Sequence, residues 1–286
     1  MLKRAIYKMN VNAKTILVTG CSTGIGYDAI GALKQRGYRV IASARKDEDV
    51  QKLVAQGFEA IQLDLNDSES IRNGVAEVVK LTDGKIDALF NNAGYGQPGA
   101  VEDLTRDVLR QQFETNVFGC HELTCLILPY MRKNNQGRIV FNSSVLGFAA
   151  MKYRGAYNAS KYALEGLVDT LRLELHGTNI QVILIEPGPI LSAFRTNAFA
   201  LYKENINKNE SAHLETYLAL EARLETVGAA VPFTLPASAV SAKVITALES
   251  SRPRIRYYVT VPTYVFAYLK RLLPGRWLDT ILRQIN

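Results

Sequence analysis

Cysteine is scarce: the chain has three in 286 residues, at Cys21, Cys120 and Cys125. An odd, sparse set makes no disulfide framework, and no pair has the CxxC spacing of a zinc site, which points to a reducing compartment. His121, His176 and His213 share no metal-ligand spacing, so no metal site is expected. No stretch reaches the ~20 apolar residues of a transmembrane helix. The basic N-terminus lacks the roughly 7–15-residue apolar core of a secretory leader. A cytoplasmic protein is therefore expected. Acid is nearly absent from both ends. Residues 1–14 carry four basic groups and no acid, and residues 252–286 carry seven against Asp279 alone, so within a net +7 the stretch 15–251 is left at −3. A nucleic-acid groove across the body would need basic residues spread over a face, and this distribution excludes it. The rest is an ordinary globular composition, 48% hydrophobic and 21% charged. A chain of this length buries roughly three quarters of its unfolded surface and folds without staples.

Strand and helix patterns alternate. Short apolar runs at 15–19, 38–44, 58–65, 86–90, 138–142 and 180–185 read as buried parallel strands. Helical spacing over 25–36, 47–56, 69–82, 104–134 and 155–176 separates them, with Asp67 or Ser68 as a cap for the third. This predicts an α/β fold: one Rossmann-type domain over 12–260, a doubly wound, mostly seven-stranded parallel sheet with helices on both faces. Regularity fails after Pro187. Residues 190–235 read as a helical substrate lid, 237–250 as a helix and 255–260 as the last strand.

Thr19-Gly20-Cys21-Ser22-Thr23-Gly24-Ile25-Gly26 follows the first strand. Glycine serves where backbone turns tightly against a pyrophosphate, and the next helix aims its free amides at that anion. The second strand ends Ala44-Arg45-Lys46, with arginine where an acid would select NAD. A guanidinium suits a 2′-phosphate, so NADP(H) is expected, with Ser22 as a further donor. Asp64 and Leu65 end the third strand, where a carboxylate could accept from adenine. Asn91-Asn92-Ala93-Gly94 ends the fourth: Ala93 and Gly94 let backbone pass beneath the ribose, and Asn91 is placed to brace neighbouring strands. Pro187-Gly188-Pro189-Ile190-Leu191-Ser192 follows the sixth.

Tyr157 and Lys161 lie four apart on one helix face. An ammonium about 4 Å from a phenol favours the phenolate by roughly 4 kcal/mol at an effective dielectric near 20. That is ~3 pKa units below the ordinary tyrosine value near 10. Alone, such a pair is usually an exposed helical couple; Ser144 and Asn116 change that. Ser144, beyond the fifth strand, could hold a carbonyl against the tyrosine. Asn116, mid-helix where an amide is mildly unfavourable, could anchor a water beside Lys161.

TGCSTGIG, NNAG, NVFG, SSVLG, YNASK and EPGPI, in this order over about residues 12–250, resemble the short-chain dehydrogenase/reductase family. The resemblance implies a catalytic tetrad of Asn116, Ser144, Tyr157 and Lys161. It also implies nicotinamide contacts from Ile190 and Ser192, where the family more often has threonine, and a homodimer or homotetramer through 104–134 and 155–176. Within the family the chain is similar to bacterial NADP-dependent aldehyde reductases, with hydroxysteroid and retinol dehydrogenases close. The implied activity is reduction of a small-molecule aldehyde or ketone by NADPH, with alcohol oxidation as the alternative and a non-catalytic NADP sensor as a remote one.

Phe194, Arg195 and Tyr202 fall in the lid as candidate substrate contacts, and Glu186 reads as a loop contact. The tail, 261–286, joins YVFAYLKRLL to Pro274-Gly275-Arg276-Trp277. It reads as an amphipathic segment that either packs on the protein or contacts an anionic membrane surface.

Overall fold

Thr15–Val18 is β-branched or aliphatic at every position, and all four residues are buried. Burial without alternation requires cover on both faces of a sheet. Here Ile16 and Val18 enter an apolar cluster with Ile30 and Leu33, while Leu17 points the other way, to Ile127 and Met131. The structure, a computed structural model, describes residues 13–226 and 228–285. From β1 (Thr15–Val18) the chain runs through α1 (Gly24–Gln35), β2 (Arg39–Ala44), α2 (Asp47–Ala55), β3 (Glu59–Gln62), α3 (Ser68–Thr82) and β4 (Ala88–Asn91). It continues through α4 (Arg106–Phe113), α5 (Cys120–Lys133), β5 (Gly137–Asn142), α6 (Gly155–Glu174) and β6 (Ile180–Glu186). After the insertion come α9 (Ser238–Glu249) and β9 (Arg256–Tyr258). Asp67 caps α3, its side chain accepting from the Glu69 amide.

The predicted seven-stranded parallel sheet is found, in the order β3-β2-β1-β4-β5-β6-β9. α1 and α9 cover one face; α3, α5 and α6 cover the other. The order reverses between β1 and β4, and the loops leaving the carboxyl ends beside that switch point hold the site.

The helical stretch at 104–134 is not continuous. Between α4 and α5, Glu114–Gly119 forms a π-helical turn. A Cβ at Gly119 would sit 1.8 Å from the Leu65 carbonyl oxygen, so only glycine allows this approach. The wide turn carries Asn116, in keeping with the habit of such turns to mark functional positions.

The insertion is closed at its base by β7 (Ile190–Leu191) pairing with β8 (Leu235–Pro236). Inside it, α7 (Phe194–Asn205) and α8 (Leu214–Glu225) share a small core of Tyr202, Tyr217, Leu220 and Leu224 against Ala100. Tyr217 is pinned to the body: its hydroxyl donates to Asp103 and accepts from the Ala100 amide at 2.8 Å.

Glu186 is not a loop contact. It is fully buried at the end of β6, and Arg256 of β9 bridges it to Glu165 of α6 and, at 2.6 Å, to Asp169. The tail forms α10 (Val261–Leu272) and α11 (Gly275–Arg283). Their inner residues Phe266, Leu269, Ile281 and Leu282 pack on Val145, Leu146 and Ala149 behind Ser144. Among the described residues no helix is long and apolar enough to cross a membrane.

Candidate active site

The glycine loop turns through left-handed backbone at Gly20 (φ +69°) and Gly24 (φ +61°). At Gly20 a Cβ would lie 2.8 Å from Ala93 Cα, and at Gly26 it would lie 2.2 Å from the Gly20 oxygen. The loop from β1, the loop from β4 and the first turn of α1 are thus in backbone contact. Thr23 caps α1 without a side-chain bond, and the first turn holds no acid. Its amides, with exposed Ser22 and Thr23 and half-buried Ile25 beside them, face outward as an anion cradle. Ser192 closes in from the other side, its Cβ 3.1 Å from where a Gly24 Cβ would be. Ile190 packs half-buried at the edge of the core.

Arg45 is exposed at the end of β2, and no acid pairs with it among the described residues. Asp64 Oδ1 accepts from the Asn66 amide at 2.9 Å, which fixes the turn after β3, and Leu65 is buried behind it. Pro187 and Gly188 lie against two neighbours: the Pro187 carbonyl accepts from the Val145 amide at 2.8 Å, and a Cβ at Gly188 would strike Thr260 Oγ1. Glycine cradle and helix terminus together fit the pyrophosphate of a dinucleotide, with Arg45 exposed at the end of the next strand.

The brace between strands falls to Asn92 rather than Asn91. Asn92 Nδ2 donates to the Thr19 and Gly20 carbonyls at 2.9 and 3.2 Å, and its Oδ1 accepts from Asn142 at 3.0 Å. Thr19 Oγ1 accepts from the Asn92 and Ala93 amides at 3.0 Å each. Asn91 instead donates to Thr124 of α5 at 3.0 Å. Residues alternate faces along a strand, so a one-residue shift in where β4 is taken to end exchanges the two roles.

On the other side of the switch point, Ser144 Oγ accepts from the Leu146 amide at 3.1 Å, and its hydroxyl acts to lower the Tyr157 pKa. Lys161 is buried and donates to the Asn142 carbonyl at 2.7 Å, with Nζ 5.6 Å from the Tyr157 ring centre. Asn116 is buried too. Its Nδ2 donates to the Tyr95 carbonyl at 2.9 Å and to Ser160 at 3.1 Å, and its Oδ1 accepts from the Tyr95 amide. A Cβ on Gly94 would be 3.0 Å from Asn116 Oδ1 and 3.9 Å from Lys161 Nζ. Asn116 and Lys161 therefore adjoin Gly94, and Tyr157 lies beside Lys161 on α6.

The electrostatics differ from the expectation of a lowered phenol pKa. Burial pushes Tyr157 up to about 12, opposed by Ser144 and by Arg154. Burial pushes Lys161 down to about 8. Desolvation outweighs attraction because the ammonium is turned to Asn142 instead of the phenol oxygen.

Of the lid candidates, Phe194 meets Tyr157 edge-on at 5.3 Å. Tyr202 is enclosed in the insertion's own core, and Arg195 donates to the Thr226 and Gly228 carbonyls. Gly96 was not singled out by its sequence; a Cβ there would lie 2.7 Å from the Phe194 ring and 3.4 Å from Tyr157.

A family model described as short chain dehydrogenase matches residues 14–202. The chain is 42% identical over 273 residues to an uncharacterized oxidoreductase, YbbO, of Escherichia coli strain K12, covering 96% of this chain and 95% of that one. It is 31% identical over 274 residues to the NADPH-dependent 3-dehydrocapnine reductase of Ornithobacterium rhinotracheale, covering 93% and 94%. A solved short-chain dehydrogenase from Streptomyces avermitilis superposes with a TM-score of 0.74 at 30% identity, covering 97% and 96%. With the ordered motifs now gathered on one edge of the sheet, the chain belongs to the short-chain dehydrogenase/reductase family of NAD(P)-dependent oxidoreductases.

Proposed function

We propose that this protein reduces an aldehyde or ketone with NADPH, Tyr157 giving the proton. One observation carries the reading: a half-buried phenol whose protonation Ser144 influences, backed by Lys161 with Nζ 5.6 Å from its ring centre, on the same edge of the sheet as the glycine cradle. Gly20, Ser22, Thr23, Gly24, Ile25 and Gly26 would hold the pyrophosphate, and Arg45 the 2′-phosphate. Asp64 and Leu65 would flank the adenine, with Ala93 and Gly94 beneath the ribose. Pro187, Gly188, Ile190 and Ser192 would lie along the nicotinamide. The reduced cofactor, when bound, supplies the hydride for the carbonyl carbon. Ser144 and Tyr157 both donate toward the carbonyl oxygen, so charge that develops there meets two fixed donors. Tyr157 passes its proton to that oxygen. Lys161, when protonated, stabilises the phenolate left behind, and Asn116 holds the turn through which the proton is restored. Oxidation of an alcohol uses the same groups in reverse.

The preference for NADPH rests on Arg45 and agrees with the cofactor of the dehydrocapnine reductase relative. A hydrogen bond to a charged group contributes about 1.5–3 kcal/mol. Arg45→Asp is accordingly expected to lower kcat/KM for NADPH by roughly 10–100-fold and to change NADH turnover little. Steady-state rates with each cofactor check this; an unchanged NADPH-to-NADH ratio would refute the role.

We propose further that the tail rests on an anionic bilayer. Val261, Val265, Tyr268 and Leu272 recur on the outer side of α10, opposite buried Phe266 and Ala267, with Tyr268 61% and Leu272 76% exposed. Trp277 on α11 is exposed too, and the tail carries Lys270, Arg271, Arg276 and Arg283 against one acid, Asp279. Basic residues beside aromatic and aliphatic ones suit an anionic interface. Co-sedimentation with phosphatidylglycerol vesicles, but not with phosphatidylcholine alone, is expected. Tyr268→Glu with Leu272→Glu should cut the bound fraction at least about tenfold, since each apolar side chain contributes ~1.5–3 kcal/mol. A dimer in light scattering that dissociates in the same double variant would assign this face to a second copy and contradict the proposal.

A further inference from the structure

Behind the catalytic groups, two buried carboxyls meet at one nitrogen. Glu186 ends β6 with no exposure, and Glu165 of α6 is buried as well. Arg256 Nη1, from β9, donates to both Glu165 Oε2 and Glu186 Oε1. Arg256 Nη2 is taken by Asp169 Oδ2 at 2.6 Å, and Asp169 has a cation of its own, Arg172, at 3.1 Å. One guanidinium thus serves both glutamates. As two carboxylates they would leave a negative charge uncompensated inside the protein. Their second oxygens, Glu165 Oε1 and Glu186 Oε2, are buried, and among the described residues no donor reaches either in hydrogen-bond geometry. Ser143 Oγ is buried and unpartnered too. It borders the same spot: a Cβ at Gly147 would lie 2.7 Å from it and 3.1 Å from Glu165 Oε1.

Like charges desolvated at one point do not both ionise, and the stable state keeps a proton. A protonated carboxyl also turns an orphaned acceptor into a donor. Burial, and then Glu165, push Glu186 up to about 8. The other titratable groups acting on the cluster are Lys161 on α6 and Tyr258 on β9, itself beside Arg271 of α10. Each member of the cluster stands next to a group that the reduction uses. Ser143 precedes Ser144, Glu186 precedes Pro187, and Glu165 follows Lys161 by about one helical turn. The Ser143 amide donates to the Ile185 carbonyl at 2.8 Å, the Val145 amide to the Pro187 carbonyl at 2.8 Å, and Gly188 abuts Thr260 just beyond β9.

We propose that Glu186 is a positioning residue that works as a neutral acid. One proton held between Glu186 and Glu165 lets Arg256 clamp the end of β6 to α6, and the clamp sets the Pro187–Gly188 turn for the nicotinamide. Without that proton two carboxylates oppose each other at one nitrogen, the end of β6 moves off α6, and the turn loosens. The inference rests on the cofactor placement proposed above.

The test is Glu186→Gln, which keeps the shape and fixes the neutral state, with Glu186→Leu, which removes the acceptor for Arg256. Fluorescence titration gives the NADPH Kd. From about pH 7 to 9 it should rise at least about threefold more in wild type than in Glu186→Gln, because only wild type sheds this proton; Lys161 titrates in both and cancels. Glu186→Leu should bind NADPH at least about tenfold more weakly at pH 7, and Glu186→Gln should not. Melting gives an independent arm. A raised carboxyl loses its stabilising protonation as pH climbs from the ordinary glutamate range to its folded value. Wild-type Tm should therefore match Glu186→Gln near about pH 5 and fall below it by about pH 8.5. A Gln variant that fails to fold, or melts lower at every pH, would overturn the proposal, because Arg256 then needs the carboxylate. The same pH dependence of Kd in both proteins would also overturn it; with the Tm difference present, the proton would be structural and not positioning. If NADPH binds to none of the proteins, the cofactor reading fails, and the melting arm decides the shared proton alone.

Discussion

Tyr157→Phe is expected to lower kcat for aldehyde reduction by about 10³-fold or more, with NADPH still bound. The phenol is held neutral by burial, up to about 12, so it keeps its proton at every physiological pH and can act as an acid. Phenylalanine preserves the ring and its edge-on contact with Phe194 but has no proton to give, and it leaves Ser144 as the remaining donor to the oxygen. Loss of NADPH absorbance reads the turnover, and quenching of cofactor fluorescence reads the binding. Lys161 adds a pH signature. Its pKa, pushed down to about 8, leaves it charged below that value and neutral above it. Reduction should therefore be level at lower pH and fall as pH rises past about 8. Lys161→Met should be slow throughout and lack that limb. A Tyr157→Phe enzyme with near wild-type kcat would remove the tyrosine from the chemistry.

The second large effect concerns stability. Arg256 is the cation that permits Glu186 and Glu165 to be buried side by side between β6, β9 and α6. Even with it present, burial and the neighbouring Glu165 push Glu186 up to about 8. Breaking a buried pair by removing one partner costs about 3–5 kcal/mol, so Arg256→Met should lower Tm by roughly 10 °C in a chain of this size. The sign with pH follows from proton counts. A carboxyl whose folded pKa is raised binds more protons folded than unfolded, so its stabilising protonation is full at acid pH and lost as pH rises through the folded value. Without Arg256 the carboxyls rise further. The deficit in Tm should be small near pH 5 and largest at about pH 8–9. Melting curves across that range check it, and a pH-independent deficit would mean that lost packing, not stranded charge, is the cause.

The sheet was legible because its central strands, such as Thr15–Val18 and Ala88–Asn91, are buried and largely apolar runs closed by a glycine or polar turn, a pattern that local residues carry by themselves. The family was legible for the same reason: YNASK, SSVLG and NVFG are short and ordered. What depended on partners far along the chain was not. The π-helical turn at Asn116 ends at Gly119, which lies against the Leu65 carbonyl, and nothing in the helical spacing of 104–134 records that contact. Glu186 looked like a loop residue because Arg256 lies 70 positions away. The phenol pKa was misjudged because spacing on a helix fixes which face Lys161 shares, and not that its ammonium turns to the Asn142 carbonyl. Gly96 had no motif to mark it; the Phe194 ring that presses on it comes from the lid.

The most direct measurement follows the hydrogen itself. NADPH deuterated at the transferable position of the nicotinamide is mixed with an aldehyde and the purified protein, and the alcohol is analysed by mass and by NMR. One deuterium on the carbinol carbon, formed by wild type and not by Tyr157→Phe, is the predicted result. Consumption of the aldehyde without that label, or no consumption across charged and neutral aldehydes and ketones, would contradict hydride delivery to a carbonyl held at Tyr157.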